Sequence, residues 1–177
     1  MIGVNEVLGM PTVLSASRYH DFSYGHVVLG HESKCANLHG HNGRVHFTCQ
    51  TLQQDQVGRV IDFSVIKQRL CQWVEDNWDH KFLISQDHEW AQQLKALDPN
   101  VEICAFNPTA ENMAVYLLYY IGPLVLKDTG VVLTKVVMEE TRKCSADAEL
   151  TFGQKHCFGG MPAGSGFPKH YLERDGD

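Results

Sequence analysis

Several features that would assign this chain to a well-defined class are missing from its sequence. No run approaches the roughly 18 apolar residues that a membrane span requires, because the most apolar stretch is broken by Gly122 and Pro123. The first residues lack the basic start and apolar core of a signal peptide. The formal net charge of −6 argues against a general nucleic-acid-binding protein, which carries a basic excess. We therefore expect a cytoplasmic protein that binds neither membranes nor nucleic acid.

Cysteine spacing of the kind that builds a disulfide framework or a cysteine-rich zinc site is also missing. The six cysteines are scattered along the chain and no two of them form a CxxC pair. In a reducing compartment they are expected to remain thiols. Histidine is abundant instead: the chain has ten, and five of them lie between positions 20 and 41. A histidine-based site is therefore the first candidate.

The hydrophobic pattern predicts an α+β fold with helices on one face of an antiparallel sheet. Asp62 and Thr109 stand where helix N-caps are expected, each followed by apolar residues at three- and four-residue spacing. Alternating or β-branched runs predict strands before and after these helices. We expect a strand over 12–23, a loop over 24–40 and a second strand from His41. The last two strands, 131–139 and 146–152, should form a hairpin.

The length of 177 residues suits one domain. We expect that domain to cover residues 1–153, followed by a glycine- and proline-containing C-terminal extension over 154–177. Residues 86–106 carry no clear pattern, and their length allows an extra helix or a lid; over 86–96 we expect a small helix or an irregular insertion.

The main chemical signal is His39-Gly40-His41. In an extended segment, residues two apart point to the same face, so the two imidazoles converge on one point. Zinc binds imidazole nitrogen, and a catalytic zinc site uses three protein ligands and one open position. His20, His26 and a third upstream histidine, His31, are the candidates for the remaining ligand, and position alone does not choose among them.

Three further signals are individually weak. Cys35, four residues before His39, is either a nucleophile or base beside a metal, or an inert free cysteine. Asp79 beside His80 is either a carboxylate that orients an imidazole or a common surface dipeptide. Glu140, at the end of a predicted strand, has two interpretations. Its carboxylate either accepts two hydrogen bonds from the N–H groups along the edge of a planar ligand, or it is a solvated acid.

Together these segments resemble, in order, the 6-carboxytetrahydropterin synthase and 6-pyruvoyltetrahydropterin synthase family. The resemblance covers roughly residues 12 to 153 and is carried by six motifs. They are FSYGH (22–26), CANLHGH (35–41), GRVIDF (58–63), WDHKFL (78–83), NPTAEN (107–112) and MEET (138–141). The first motif matches the family's F-x-[AS]-[AG]-H, which closes on a metal-binding histidine. Tyr24 departs from it, because the family usually has a small residue there.

The resemblance implies a tunnelling fold: a four-stranded antiparallel sheet with two helices on one face, in the order β-β-α-α-β-β. Subunits would join their sheets into a barrel, usually as a hexamer of two trimers, with active sites between subunits. It implies Zn²⁺ bound by His26, His39 and His41, with His20 as the reserve ligand. Cys35, Asp79 and His80 would be catalytic, and Glu140 would bind the substrate, as would backbone near Thr109.

The substrate implied by the resemblance is 7,8-dihydroneopterin triphosphate. Cys35 lies four residues before His39, which is the spacing usual in the carboxy synthases. This favours conversion to 6-carboxy-5,6,7,8-tetrahydropterin with release of acetaldehyde and triphosphate, a step toward 7-deazaguanines such as queuosine.

The alternatives are a 6-pyruvoyltetrahydropterin synthase and a non-catalytic zinc- or pterin-binding protein. An unrelated zinc hydrolase is less favoured, because the chain has no HExxH motif. The triphosphate-binding cations stay unassigned among Arg18, Lys34, Arg44 and Lys81.

Overall fold

The computed structural model describes residues 13–150 of the chain. In this region six strands form one sheet, and their order across the sheet is β4-β3-β1-β2-β5-β6. The strands are β1 (Leu14–His26), β2 (His39–Thr51), β3 (Lys81–Ser85), β4 (Glu102–Cys104), β5 (Val132–Thr141) and β6 (Cys144–Glu149). The expected extension over 154–177 lies outside the described residues, so the proposed domain boundary stays a prediction.

The helices lie between these strands in the sequence. Helix α1 consists of Phe63–Ile66, a π-helical stretch Lys67–Cys71, and Gln72–Asn77. Helix α2 is short, Ala91–Leu97. Helix α3 consists of Ala110–Tyr116, a second π-helical stretch Leu117–Ile121, and Gly122–Leu126. A single 3₁₀ turn, Lys34–Ala36, is found in the β1–β2 connection. No helix within 13–150 is long and apolar enough to cross a membrane.

The predicted starts of the two long helices are confirmed. Asp62 precedes α1 and its side chain accepts a hydrogen bond from the Ser64 backbone N–H. Thr109 precedes α3 and accepts one from Asn112. Each cap satisfies a backbone donor that has no partner within the first helical turn.

The expected sheet of four antiparallel strands is wrong in its strand count, although the α+β class is correct. The four expected strands correspond to β1, β2, β5 and β6, and they pair antiparallel. The two additional strands, β3 and β4, extend the sheet beyond β1 and run parallel to their neighbours. They are only five and three residues long, which is too short for a periodic pattern to reveal them.

The expected loop over 24–40 is also shorter than predicted. Strand β1 continues through Tyr24 and Gly25 to His26, and β2 begins at His39. These ends pair with each other in register, His26 opposite His39 and Tyr24 opposite His41. The strand pairing therefore brings the FSYGH and HGH motifs side by side.

Alternation along the strands separates a buried face from an exposed one. The buried residues of β1 include Ala16, Phe22 and Tyr24, which pack in one core with residues of α1 and α3 such as Leu70 and Leu117. This is the pattern of a sheet with helices on one face. The opposite face of β1 and β2 carries polar side chains, and the histidine motifs lie at the end where both strands meet the β1–β2 connection.

Candidate metal centre and active site

Three histidines from two paired strands converge at one end of the sheet. His26, His39 and His41 each offer a ring nitrogen, and these nitrogens all lie within 4.8 Å of one another. The Nε2 atoms of His26 and His39 are 3.0 Å apart. Of the candidate upstream ligands, the structure thus places His26 in the cluster.

Hydrogen bonds to backbone carbonyls orient two of these rings. They determine which ring nitrogen faces the cluster. Nδ1 of His26 lies 2.7 Å from the carbonyl oxygen of Pro108, and Nδ1 of His39 lies 2.8 Å from that of Asn37. Because a carbonyl oxygen only accepts, each Nδ1 carries the hydrogen and each Nε2 presents a lone pair to the cluster. A second hydrogen bond that sets the tautomer in this way is characteristic of metal-binding histidines.

The surroundings favour the neutral form of the His26 and His41 imidazoles. The side chain of His26 is 1% exposed, and burial lowers its pKa to about 4. Burial also lowers the pKa of His41, although the charge of Glu140 acts in the opposite direction. Neutral imidazole is the form that binds a metal ion.

The residues present fit a metal ion. Nε2 of His41 is buried and has no hydrogen-bond partner among residues 13–150. The lone pairs of His26 and His39 repel each other at 3.0 Å unless a proton or a cation lies between them. Three imidazoles around one point, with no cysteine in the cluster, are the donor set of a catalytic zinc site.

Glu140 of β5 lies beside the cluster. Its Oε1 atom is 3.6 Å from Nε2 of His26 and 3.7 Å from Nε2 of His41. These distances exceed those of a hydrogen bond, so the carboxylate is close to the imidazoles without being bound to them. Its position leaves it available to another donor.

The segment before α3 supports the cluster from the other side. The side chain of Asn107 accepts a hydrogen bond from the backbone N–H of Leu29 and donates one to the carbonyl oxygen of the same residue, both at 2.9 Å. Asn112 donates to the carbonyl oxygen of Asn107, also at 2.9 Å. These bonds attach the chain just after β1 to the segment whose Pro108 carbonyl holds His26. Asn107 and Pro108 belong to the NPTAEN motif, but their supporting role was not anticipated.

Asp79 and His80 form a second constellation at the start of β3. One carboxylate oxygen of Asp79 accepts from the backbone N–H of Ser23 at 2.8 Å, and the other lies 2.6 Å from Nδ1 of His80. Partial burial raises the pKa of Asp79, but the hydrogen bonds from Ser23 and His80 outweigh it and leave this pKa below its ordinary value. The ring of His80 is 81% exposed, so its Nε2 is open to an external partner.

His80 faces a cavity of about 710 Å³ on the polar side of the sheet. Its lining also includes Arg44, Arg142 and Glu139, and a second cavity of about 480 Å³ adjoins His80 as well. Cys35 lies in the 3₁₀ turn, half-buried, and lines neither of these two cavities. The Asp79–His80 pair and Cys35 therefore share neither of these two cavities among residues 13–150.

Other candidate residues have different partners. Nε2 of His20, the reserve ligand, lies 2.9 Å from a carboxylate oxygen of Glu75 on α1, and His20 is not part of the cluster. Nδ1 of His31 accepts from Ser33. Thr109 uses its hydroxyl oxygen as the cap of α3, and its expected contribution to substrate binding stays a prediction.

Two of the four candidate triphosphate-binding cations, Arg44 and Lys81, have partners within the chain. Arg44 binds both carboxylate oxygens of Asp21 and lies over the ring of Tyr19. Lys81 donates to the carbonyl oxygen of Asp76. No assignment of a triphosphate site follows from these contacts.

Comparison with known proteins gives a consistent result. Residues 15–150 match the protein family described as 6-pyruvoyl tetrahydropterin synthase. The 6-carboxy-5,6,7,8-tetrahydropterin synthase of Rickettsia typhi is 34% identical over 134 residues, which cover 75% of this chain and 97% of that protein. That of Helicobacter pylori is 29% identical over 142 residues, with 75% and 71% covered.

Solved structures show the same fold. A protein from Wolinella succinogenes superposes with a TM-score of 0.70 at 21% identity, covering 80% of this chain and 100% of that one. The 6-pyruvoyl tetrahydropterin synthase of Caenorhabditis elegans gives 0.59 at 24% identity, covering 79% and 97%. With three histidines, a neighbouring glutamate and the family's motifs in their expected order, the chain belongs to the 6-pyruvoyl tetrahydropterin synthase family, which includes the 6-carboxy-5,6,7,8-tetrahydropterin synthases.

Proposed function

We propose that this chain is a zinc-dependent 6-carboxy-5,6,7,8-tetrahydropterin synthase. It would convert 7,8-dihydroneopterin triphosphate and water to 6-carboxy-5,6,7,8-tetrahydropterin, acetaldehyde and triphosphate, a cytoplasmic step toward 7-deazaguanines. The observation that carries this proposal is the convergence of His26, His39 and His41 beside the carboxylate of Glu140. The names of the curated relatives favour the carboxy product over the pyruvoyl product.

The three histidines would hold the zinc ion through His26 Nε2, His39 Nε2 and a nitrogen of His41. A zinc ion bound there supplies a Lewis acid that makes coordinated hydroxyl groups more acidic. Glu140 would accept hydrogen bonds from the amino group and ring N–H of the pterin, with backbone near Thr109 assisting. Such orientation contributes to rate because the reacting carbons lie on a flexible side chain.

Proton transfer would fall to Cys35 and His80. As a thiolate, Cys35 would take a proton from a side-chain carbon of the substrate. His80 would exchange a proton on the other side, with Asp79 fixing its Nδ1–H and so leaving Nε2 as the acting nitrogen. The exposure of the His80 ring supports this role, since the nitrogen that acts is accessible.

We propose further that the active site is shared between subunits of a homo-oligomer, of which a hexamer of two trimers is the expected form. The supporting observation is that Asp79 and His80 face cavities that Cys35 does not line. In an oligomer, the Asp79–His80 pair of one subunit would act together with Cys35 of its neighbour.

Turnover of 7,8-dihydroneopterin triphosphate by a matched pair of variants tests the proposed chemistry. Cys35→Ala should lose turnover and retain zinc. Cys144→Ala, which removes an exposed thiol on β6, should behave like the unmodified protein. Full turnover by Cys35→Ala would remove the thiolate from the mechanism.

The second candidate is a 6-pyruvoyltetrahydropterin synthase, which would eliminate triphosphate without releasing acetaldehyde. The family description and the Caenorhabditis elegans structure favour it. Both reactions use the same residues, so the product distinguishes them.

A further inference from the structure

Tyr24 lies against the histidine cluster from the helix-covered side of the sheet. Its side chain is buried, with 4% of its surface exposed. Its ring stacks on Phe22 with 5.1 Å between centroids and meets the edge of the His26 ring at 5.2 Å. The ring of His41 is 5.7 Å away. Tyr24 thus places a large aromatic ring against two histidines of the cluster. The family motif usually has a small residue at this position.

A glycine on the neighbouring strand makes room for this ring. A Cβ atom at Gly43 would lie 2.9 Å from Cε1 of Tyr24, closer than two carbon atoms normally approach. Strands β2 and β5 pair with Arg44 opposite Glu139, so Gly43 lies beside Glu140. The ring of Tyr24 therefore leans from β1 across Gly43 of β2 toward β5.

The hydroxyl of Tyr24 is left without a hydrogen bond in this arrangement. Its oxygen is buried and has no partner within residues 13–150. A buried polar group without a partner is costly, so most such groups are paired in working proteins. A phenol is protonated at neutral pH, so this hydroxyl is available as an O–H donor. Strand register places this donor on the same face of the sheet as Glu140, whose carboxylate is not hydrogen-bonded to the histidines.

We propose that Tyr24 is a positioning residue that donates a hydrogen bond from its hydroxyl to the carboxylate of Glu140 when substrate is bound. This inference rests on the proposed function, in which Glu140 binds the pterin. Both contacts of Glu140 with the cluster use Oε1. A bond from Tyr24 would hold one oxygen of the carboxylate in place and leave the other to accept from the N–H edge of the pterin. The small residue usual at position 24 in the family motif is too short for this contact.

A comparison of Tyr24→Phe with Tyr19→Phe tests the proposal. Tyr19 lies on the same strand but on the exposed face, so its variant is a matched control. The zinc-loaded proteins are titrated with 7,8-dihydroneopterin, and the KM and kcat for its triphosphate are measured. Loss of a hydrogen bond to a carboxylate should weaken pterin binding roughly tenfold or more. Tyr24→Phe should raise KM more than it lowers kcat, without reducing zinc content or the unfolding temperature.

The same substitution in a Glu140→Ala background shows whether Tyr24 acts through Glu140. There, Tyr24→Phe should have no further effect on pterin binding. Unchanged pterin affinity for Tyr24→Phe in the otherwise unmodified protein would overturn the proposal. So would a full additive loss in the Glu140→Ala background, or a lower unfolding temperature with unchanged affinity, which marks a purely structural hydroxyl. If the unmodified protein itself binds no reduced pterin, the proposed function fails, and that result is visible before any variant is compared.

Discussion

His26 and His39 place their Nε2 atoms 3.0 Å apart, although they lie 13 positions apart in the sequence. The two residues stand opposite each other where β1 ends and β2 begins. Each ring is held by a hydrogen bond from its Nδ1 to a backbone carbonyl. The strand pairing therefore presents two oriented lone pairs to one point, and His41 adds a third imidazole two residues further along β2.

Removal of one imidazole should abolish high-affinity zinc binding. We expect His41→Ala to lose its zinc during dialysis against a weak chelator, because two histidines do not complete the three-ligand set. His31→Ala removes a histidine of the β1–β2 connection that lies outside the cluster, and this variant should retain one zinc per chain. Metal analysis after dialysis measures the difference. Equal zinc content in both variants would show that the ion binds elsewhere.

The metal-free protein should lose stability as pH falls from about 6.5 to 4, because of His26. Burial holds the pKa of this imidazole at about 4 in the folded chain, against 6.5 for the ordinary group. Between these values the unfolded chain binds the proton and the folded chain does not, so acidification favours unfolding. The shift corresponds to roughly 3 kcal/mol of the free energy of unfolding.

Denaturant titrations of the metal-free protein at several pH values measure this loss. His26→Asn, which keeps a donor near the Pro108 carbonyl, serves as the comparison. Its stability should depend less on pH in this window. An identical pH dependence for the two proteins would assign the acid sensitivity to other groups.

Asn107 should control zinc affinity without touching the ion. Its two hydrogen bonds to Leu29 attach the chain just after β1 to the segment that carries the Pro108 carbonyl. Asn107→Ala should release this segment and weaken zinc binding by roughly tenfold or more, as is typical when the partner of a metal-binding histidine is disturbed. Competition with a chromogenic chelator measures the affinity. Asn100→Ala, in an exposed turn, is the control, and a matching loss there would point to a general effect on stability.

Complementation between inactive subunits should reveal whether the active site is shared. Cys35→Ala and His80→Ala should each be inactive as pure proteins. If Cys35 of one subunit acts with His80 of its neighbour, co-refolded mixed oligomers contain some intact sites and regain part of the turnover. The measurement is substrate consumption before and after mixing. Mixtures as inactive as the two pure variants would place both residues in one subunit's site.

The sequence predicted the elements that have strong local signals. Asp62 and Thr109 are N-caps whose chemistry is local, and both helices begin there. The antiparallel strands β1, β2, β5 and β6 alternate clearly enough to be recognised. Strands β3 and β4 were missed because they are short and exist only through parallel pairing with distant residues. Such pairing leaves no periodic trace in the sequence.

The histidines show the same limit at the level of the site. His20 and His26 lie on the same strand and share a face, so alternation does not separate them. The two histidines differ in their neighbours, which come from distant parts of the sequence. His20 lies next to Glu75 of α1, whereas His26 contacts the carbonyl oxygen of Pro108 and the ring of His39. In the sequence, Tyr24 is visible only as a departure from the motif. Its relation to Gly43 and Glu140 depends on the register of three strands, which the sequence alone does not reveal.

The most direct test of the proposed function is to identify the products of the zinc-loaded protein. The protein is incubated anaerobically with 7,8-dihydroneopterin triphosphate, and the pterin and any aldehyde are identified by mass spectrometry, with Cys35→Ala as the control. We expect 6-carboxy-5,6,7,8-tetrahydropterin and acetaldehyde in equal amounts from the unmodified protein and neither from the variant. A pyruvoyl product without acetaldehyde would contradict the carboxy synthase assignment, and zinc-loaded protein that binds the pterin without turnover would contradict the proposal of an enzyme.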